Sequence, residues 1–390
     1  MSTVEMAVET KKRRLTQSQL DAILALPEHE HAQAPTSESR VPAYFYTDPE
    51  HFKLEQSKLF RRMPIPLTLS AMLPKPNMAF AHDGFGIPIL LTRDREGQVK
   101  AFLNACGHRG AKLIEGNEPT TCARMSCPYH AWTYDLGGNL IGVPRAEVFP
   151  TLDRSTRGLR RLPVCEAGGI IWVGLDPAAQ IDFTDTKGPL AADLDAFGIP
   201  GMHVYGRKSF DIQGNWKILV ETFLETYHVP PLHKNTVAPH FAEVPTILTW
   251  MGPHNRQTVG RSHFTRESLD IDVDEVHKII THAYHLFPGT ILVTSPYHIN
   301  FITMMPRAVD RTIAECYLLT KAPPDSPKAE DLYARSLEFN FTTVFRNEDF
   351  RAAELVQTGL SSGALEDVYF GGLEYALADF HRNIAGYMAD

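Results

Sequence analysis

The stretches Cys106-Gly107-His108-Arg109-Gly110-Ala111 and Cys127-Pro128-Tyr129-His130-Ala131-Trp132-Thr133-Tyr134-Asp135 decide how the first half of this chain is read. Each places one thiolate and one imidazole on a tight loop, and 18 residues separate His108 from Cys127. Two such loops can close on a single metal centre. A Cys2His2 donor set suits structural zinc, and it equally suits a two-iron, two-sulfide cluster in which two histidines replace two cysteines on one iron. Spacing alone leaves the two open. Cys122 lies between the pairs, but the donor set is complete without it, so it reads as a small buried or loop thiol. Five cysteines in 390 residues are too few, and odd in number, for a disulfide framework.

Around these loops, short strands broken by turn residues are expected at 87–92, 100–104, 132–135 and 170–175, which makes residues 43–178 an all-β domain. Residues 1–42 read as a polar surface arm with one short amphipathic helix at 17–26 and a His/Glu/Pro-rich stretch at 27–35. The Lys11-Lys12-Arg13-Arg14 run within it reads as a solvated extension, not a polyanion contact. Residues 176–198, rich in Asp, Pro and Ala, read as a linker. From 179 to 390 the pattern mixes helices, at 216–228 and 331–360, with strands at 246–250, 290–294, 298–305 and 312–320. That is an α+β domain with an antiparallel sheet and segregated helices.

Hydrophobic residues at 43% and charged residues at 22% are ordinary for a globular chain. A net charge of -8 argues against a nucleic-acid partner, which needs a basic face. No apolar run approaches the roughly 18 residues of a membrane span, and no signal-peptide core is visible. The expectation is a cytoplasmic protein with no membrane partner.

A second constellation lies in 216–233. Glu221, Glu225 and His228 fall at i, i+4 and i+7 on one stripe of the expected helix, beside a wholly apolar stripe of Trp216, Val220, Phe223 and Tyr227. Such a helix is buried, and buried carboxylates need partners. Pro230-Pro231 should end it and free His233 to share one metal with His228. Two histidines and one carboxylate on one face are what a non-haem Fe(II) oxygenase site requires. Near the C-terminus Glu348 and Asp349 each fall on an apolar helical stripe, so periodicity does not choose between them.

Cys106-Gly107-His108-Arg109-Gly110-Ala111 and Cys127 to Asp135 resemble the Rieske motif of ring-hydroxylating oxygenase large (alpha) subunits. The intervening loop is slightly longer than usual in that family. Glu225-x-x-His228-x-x-x-x-His233 resembles the same family's mononuclear-iron motif, and Asn347-Glu348-Asp349-Phe350 followed by Gln357-Thr358-Gly359-Leu360 resembles its C-terminal ligand segment. The resemblance runs from about residue 43 to His381. It implies a Rieske β domain followed by a helix-grip catalytic domain. Cys106, His108, Cys127 and His130 would hold one [2Fe-2S] cluster, and His228, His233 and Asp349 one mononuclear Fe(II). Glu225, where relatives more often carry Asp, would be the electron bridge joining His130 of one subunit to His228 of the next. Glu221 would stand behind the metal ligands.

The implied activity is that of a terminal oxygenase using O2 and electrons from a separate NAD(P)H-dependent reductase, directly or through a ferredoxin, since no flavin or nicotinamide motif is present. The expected product is a hydroxylated or dihydroxylated aromatic or other apolar compound. O- or N-demethylation and oxidation of a quaternary ammonium compound are the alternatives, the Glu at 225 hinting at the latter. A ring oligomer, most simply a homotrimer, follows from the inter-subunit path; a small beta subunit is left open. The pocket is expected on strands 287–295 and 298–305, with Phe301, Met304 and Met305 in it and His298 or Asn300 at its wall. His240, His282 and His285 read as structural. The rival from another class is a zinc-stabilised binding protein.

Overall fold

The computed structural model describes residues 15–27, 36–242, 245–265 and 273–389. The Lys11–Arg14 run and most of the 27–35 stretch lie outside the described residues. Antiparallel pairing accounts for every sheet of the N-terminal domain. Five strands stand in the order Arg161–Leu162, Val99–Leu103, Ile89–Arg93, Met78–His82, Thr120–Thr121. A second sheet joins Val164–Ala167, Ile170–Val173 and Ile65–Leu69, and a third joins Arg124–Ser126, Thr133–Asp135 and Leu140–Gly142. A small core of its own, including Phe102, Met125, Trp132, Tyr134 and both cluster-loop cysteines, lies beneath the two loops.

The C-terminal domain is built on a seven-stranded antiparallel sheet in the order His203–Ile212, Arg311–Thr320, Ile299–Ala308, Thr290–Thr294, Ile280–Leu286, His254–Gly260, Ile247–Met251. The helices Trp216–Glu221, Phe350–Ser361 and Tyr375–Ala389 contribute Trp216, Phe350 and Phe380 to the core formed with this sheet's Leu286, Phe301 and Met304. The architecture is therefore an all-β domain followed by an α+β domain. No helix among the described residues is long and apolar enough to cross a membrane.

Several local expectations are corrected. The 176–198 stretch is no linker. It forms the helix Pro189–Ala196, whose Leu190, Asp193 and Leu194 are buried. Asp193 is the ion partner of the fully buried Arg256 and accepts from Tyr284 Oη at 3.1 Å. Nor is the arm a surface appendage. Gln19, on the helix Gln17–Leu24, is fully buried and donates to Tyr284 Oη at 3.0 Å, while Ile23 and Leu26 join Ile279 and Ile280 in a satellite core. Strand Ser39–Pro42 pairs with Asp367–Phe370 near the C-terminus. A polar composition conceals this docking because the buried groups satisfy one another.

Two buried contacts, Glu55–Lys217 and His82–Glu315, and one at the surface, Arg207–Glu118, fix the domains together. Glu55 pairs with Lys217, both without solvent exposure, and accepts from Trp216 Nε1 at 2.8 Å, which pins the helix that leads into the 222–233 segment. Across the other seam, His82 meets Glu315 at 3.2 Å, and Arg207 reaches Glu118 at 2.8 Å.

Candidate functional site

The two cluster loops are built alike. In each, the cysteine N–H donates to the carbonyl five residues on, Cys106 to Ala111 and Cys127 to Trp132, both at 2.8 Å. In each, the cysteine carbonyl accepts from the residue four on, Gly110 or Ala131, both at 2.9 Å. That fourth residue is left-handed in both, with φ of 79° at Gly110 and 55° at Ala131. The tight turns throw both side chains of a pair to one side. Gly107 cannot be larger, since a Cβ there would lie 2.5 Å from the Arg157 carbonyl oxygen.

Cys106 and Cys127 are buried, His108 is half-buried and His130 is exposed. The imidazole rings stand 4.7 Å apart, and His108 stacks on Trp132. Tyr134 Oη accepts from Gly107 N–H at 2.9 Å, leaving its proton for Cys106 Sγ at 3.4 Å. Burial, then the bond to that sulfur, raises the Tyr134 pKa, so the hydroxyl stays a donor. His108 Nδ1 is buried with no hydrogen-bond partner. An orphaned imidazole nitrogen facing a second imidazole, with two buried sulfurs below, fits a cluster whose sulfur-bound iron is the inner one and whose histidine-bound iron is the outer.

At the second constellation the expected unbroken helix does not form. Trp216–Glu221 stops at Thr222, turns carry the chain through Glu225, and the short helix Val229–Leu232 contains Pro230-Pro231 near its start, where proline is tolerated. Glu225 therefore does not share a helical stripe with Glu221. Tyr227, expected on the buried stripe, is 63% exposed. The break brings the two histidines closer than a helix would. The ring centroids of His228 and His233 lie 5.2 Å apart, and Asp349 Oδ1 stands 3.0 Å from His233 Nε2 and 3.7 Å from His228 Nε2. One donor atom from each of the three residues lies within 4.8 Å of the others.

Both histidines are oriented by carboxylates on their far nitrogens. Glu225 takes His228 Nδ1 and also accepts from the His228 backbone N–H at 3.1 Å. Glu348 Oε2 takes His233 Nδ1 at 2.7 Å and is itself steadied by Thr236 Oγ1 at 2.8 Å. Each Nε2 is thereby left for the centre. Burial alone would depress the His233 pKa, but Asp349 and Glu348 outweigh it and the net is raised. Asp349 Oδ1 is buried and has no hydrogen bond. Two imidazole Nε2 atoms and one carboxylate oxygen, open on one side, fit a divalent iron with free positions. The geometry also separates the two acids that periodicity could not: Asp349 faces both Nε2 atoms and Glu348 faces an Nδ1.

The reason lies in the long C-terminal helix, which runs as Pro327–Glu338, a π-helical stretch Phe339–Asp349, and Phe350–Ser361. At the α-helical 100° or so per residue, Asn340 and Asp349 would point about half a turn apart. The wider π turns bring Asn340, Val344, Phe345 and Asp349 onto one cavity face. Glu221, by contrast, stands away from the centre, accepting from Tyr46 Oη at 2.8 Å and facing His381 Nε2 at 2.7 Å.

His228, His233 and Asp349 open into a cavity of about 1590 Å³. Phe223, Phe241, Phe339 and Phe345 line it, but Phe301, Met304 and Met305 do not; they are buried in the core. Strand alternation turns Asn300 inward to the cavity and Phe301 away from it. The sheet wall is mixed instead, with Gln257, Thr281, Ser295, His298 and Asn300 among Val259, Ala283 and Val293, and His240 also reaches the cavity. His298 is buried and its pKa is pushed down to about 4 by burial, so it is a neutral imidazole, bonded to Asn340. His282 and His285 are core histidines held by Thr258 and by the Pro288 carbonyl.

Residues 64–153 match the model of the Rieske [2Fe-2S] domain, and residues 200–390 match that of the ring hydroxylating alpha subunit (catalytic domain). The carnitine monooxygenase oxygenase subunit of Escherichia coli (strain K12) is 28% identical over 389 residues, 96% of this chain and 100% of that protein. The glycine betaine monooxygenase oxygenase subunit of Pseudomonas aeruginosa (strain UCBPP-PA14) is 30% identical over 213 residues, 54% of this chain and 47% of its own length. Among solved structures, a quaternary ammonium Rieske monooxygenase in complex with L-carnitine superposes with a TM-score of 0.74 at 23% identity, covering 91% of this chain and 96% of that one. Naphthalene 1,2-dioxygenase from a Rhodococcus species, bound to indole, also reaches 0.74, at 21% identity, covering 90% and 94%.

Proposed function

Because the chain belongs to the Rieske non-haem iron oxygenases, the family of ring-hydroxylating oxygenase large subunits, we propose that it monooxygenates a quaternary ammonium compound in the cavity above His228, His233 and Asp349. It is an oxygenase with a Rieske cluster and a mononuclear iron, fed by a separate reductase. Cys106, His108, Cys127 and His130 would hold the cluster, and His228, His233 and Asp349 the mononuclear iron. When bound, the cluster supplies single electrons and the iron supplies the activation of dioxygen.

The chain's own residues do the positioning. Glu225 and Glu348 fix each imidazole tautomer, so both Nε2 lone pairs point inward. Exposed His130 is free to meet a neighbouring subunit, and Glu225, half-buried beside His228, is the group it would meet in a homotrimer. Tyr46, Glu221 and His381 form a closed hydrogen-bonded group that keeps a carboxylate buried behind the site.

The observation that carries the reading is the convergence of two Nε2 atoms and one unsatisfied carboxylate oxygen on a large cavity, in a chain that also carries paired Cys/His loops. The quaternary ammonium substrate is favoured over an aromatic hydrocarbon by two things. Relatives matched along their whole length include carnitine monooxygenase subunits, and the cavity carries aromatic rings, which attract a cation, together with polar side chains on its sheet wall. The test is turnover with a reconstituted NAD(P)H-dependent reductase, scoring oxygen uptake against product mass for quaternary ammonium and aromatic compounds. Coupled product from the ammonium set is expected; coupled product from aromatics alone would overturn the substrate reading. His228→Ala should keep the cluster absorption and lose product.

A further inference from the structure

Arg261, in the cavity wall, has no counterion among the described residues. Arg261 follows strand His254–Gly260 and continues its alternation, so that Gln257, Val259 and Arg261 all face the cavity. Its guanidinium lies 5.5 Å from the centre of the Phe241 ring, and its NH1 donates weakly, at 3.4 Å, to Thr281 Oγ1. Its Nε is buried with no partner. Among the described residues no carboxylate pairs with it. The other enclosed arginines are all paired: Arg256 with Asp193, Arg207 with Glu118, and Arg93 with Glu166. Arg335, also at this cavity, is paired with Asp331.

A half-buried guanidinium stacked on an aromatic ring and short of an acceptor is unfavourable unless something brings one. Its planar fork matches a carboxylate bidentately, better than any neutral acceptor. We propose that Arg261 is the specificity residue for a carboxylate on the substrate, with Phe241 holding the guanidinium flat and Thr281 Oγ1 completing the anchor. The substrate class is then an organic carboxylate. Arg261 stands four residues along its strand from Gln257, roughly 13 Å at strand rise. Gln257 is level, through Ala283 and Val293, with Asn300. Asn300 is thus well separated from the anchor along the sheet, while His298 stands level with Val259 and three strands across from it, which leaves room between Arg261 and Asn300 for a chain several bonds long. Combined with the ammonium reading, on which this part alone rests, the substrate is a zwitterion.

Burial lowers the Arg261 pKa from the usual guanidinium value, and no acid offsets it, as expected for a cation awaiting its partner. The experiment measures binding, so it does not depend on turnover. Holoenzyme carrying both iron centres is titrated calorimetrically with L-carnitine and glycine betaine against choline, and with benzoate against benzamide. Wild type should favour the carboxylate of at least one set. R261Q should weaken that carboxylate by on the order of 10- to 100-fold, the worth of a charge-assisted hydrogen bond, and collapse the preference over its counterpart without a carboxylate. R261K, which keeps the charge but not the fork, should fall between. Cluster absorption and iron content of each variant check that it is folded. Equal affinity of R261Q and wild type for every carboxylate, or no carboxylate preference in wild type, would overturn the proposal. Binding through Arg261 without any turnover would sink the oxygenation reading and leave this one standing.

Discussion

Replacing Glu348 with alanine separates the residue that orients His233 from the residue proposed to bind metal beside it. In the native chain Glu348 Oε2 sits 2.7 Å from His233 Nδ1 and is held by Thr236, so the ring has one orientation and its Nε2 faces Asp349 at 3.0 Å. Without that carboxylate the ring can rotate and its basicity falls, but all three donor atoms remain. Loss of such an outer partner typically costs 10- to 100-fold in metal affinity, about 1.4 to 2.8 kcal/mol. Asp349→Ala removes a donor outright and leaves two imidazoles. The assay is a ferrous-iron titration of protein stripped of mononuclear iron by a chelator, with the cluster's visible absorption as an internal control. Glu348→Ala should bind weakly and Asp349→Ala should not bind measurably. If Asp349→Ala kept wild-type affinity within threefold while Glu348→Ala lost it, the roles would be exchanged and the geometric argument wrong.

Glu315 should make the domain seam acid-labile. Burial would raise its pKa, but His82, Tyr317 and Arg207 hold it down to about 2. A carboxylate depressed in the folded state stabilises fully above its unfolded value near 4.5 and progressively loses that contribution as pH falls toward 2, on the order of 3 kcal/mol in all. Denaturant unfolding at pH 7 and pH 3 should therefore differ less for Glu315→Gln than for wild type. Lys217→Met takes from buried Glu55 its lysine, leaving only His51 at 3.4 Å and Trp216 Nε1, and should cost about 3–5 kcal/mol, while Glu55→Leu with Lys217→Met should recover most of it, as read from tryptophan fluorescence in urea. Gly107→Ala should cut cluster absorption per chain sharply, because its Cβ meets the Arg157 carbonyl. Ala131→Gly, which relieves a left-handed alanine, should leave that absorption intact.

The cluster loops were legible because each ligand pair is local, so short motifs carry both chemistry and turn geometry. That His228 and His233 stand together was legible, though for a partly mistaken reason: the helix expected to carry them breaks after Glu221. Asp349 was out of reach of periodicity because a π-helical stretch changes the phase that the 3.6-residue repeat assumes. The misread linker has a similar cause. Asp193 and Gln19 look like surface residues and are buried because Arg256 and Tyr284 satisfy them, and those partners lie tens to hundreds of residues away. Arg261 could have been found from the inward alternation Gln257, Val259, Arg261, but a lone arginine in a strand carries no hint that its counterion is missing.

The stretch Phe339–Asp349 makes one end of the active site depend on a count of residues as well as on their identity. Deleting a single residue there, at exposed Asn347 for instance, would let the backbone tighten to α pairing while every proposed ligand remained in the sequence. The helix beyond would turn by about 100° and retract by about 1.5 Å, and the acid would leave its histidines or the cavity wall would leave its place. Substitution at Asn347 carries no such penalty. In this segment selection should therefore tolerate changes of letter and reject changes of length, the reverse of what holds in an ordinary surface loop.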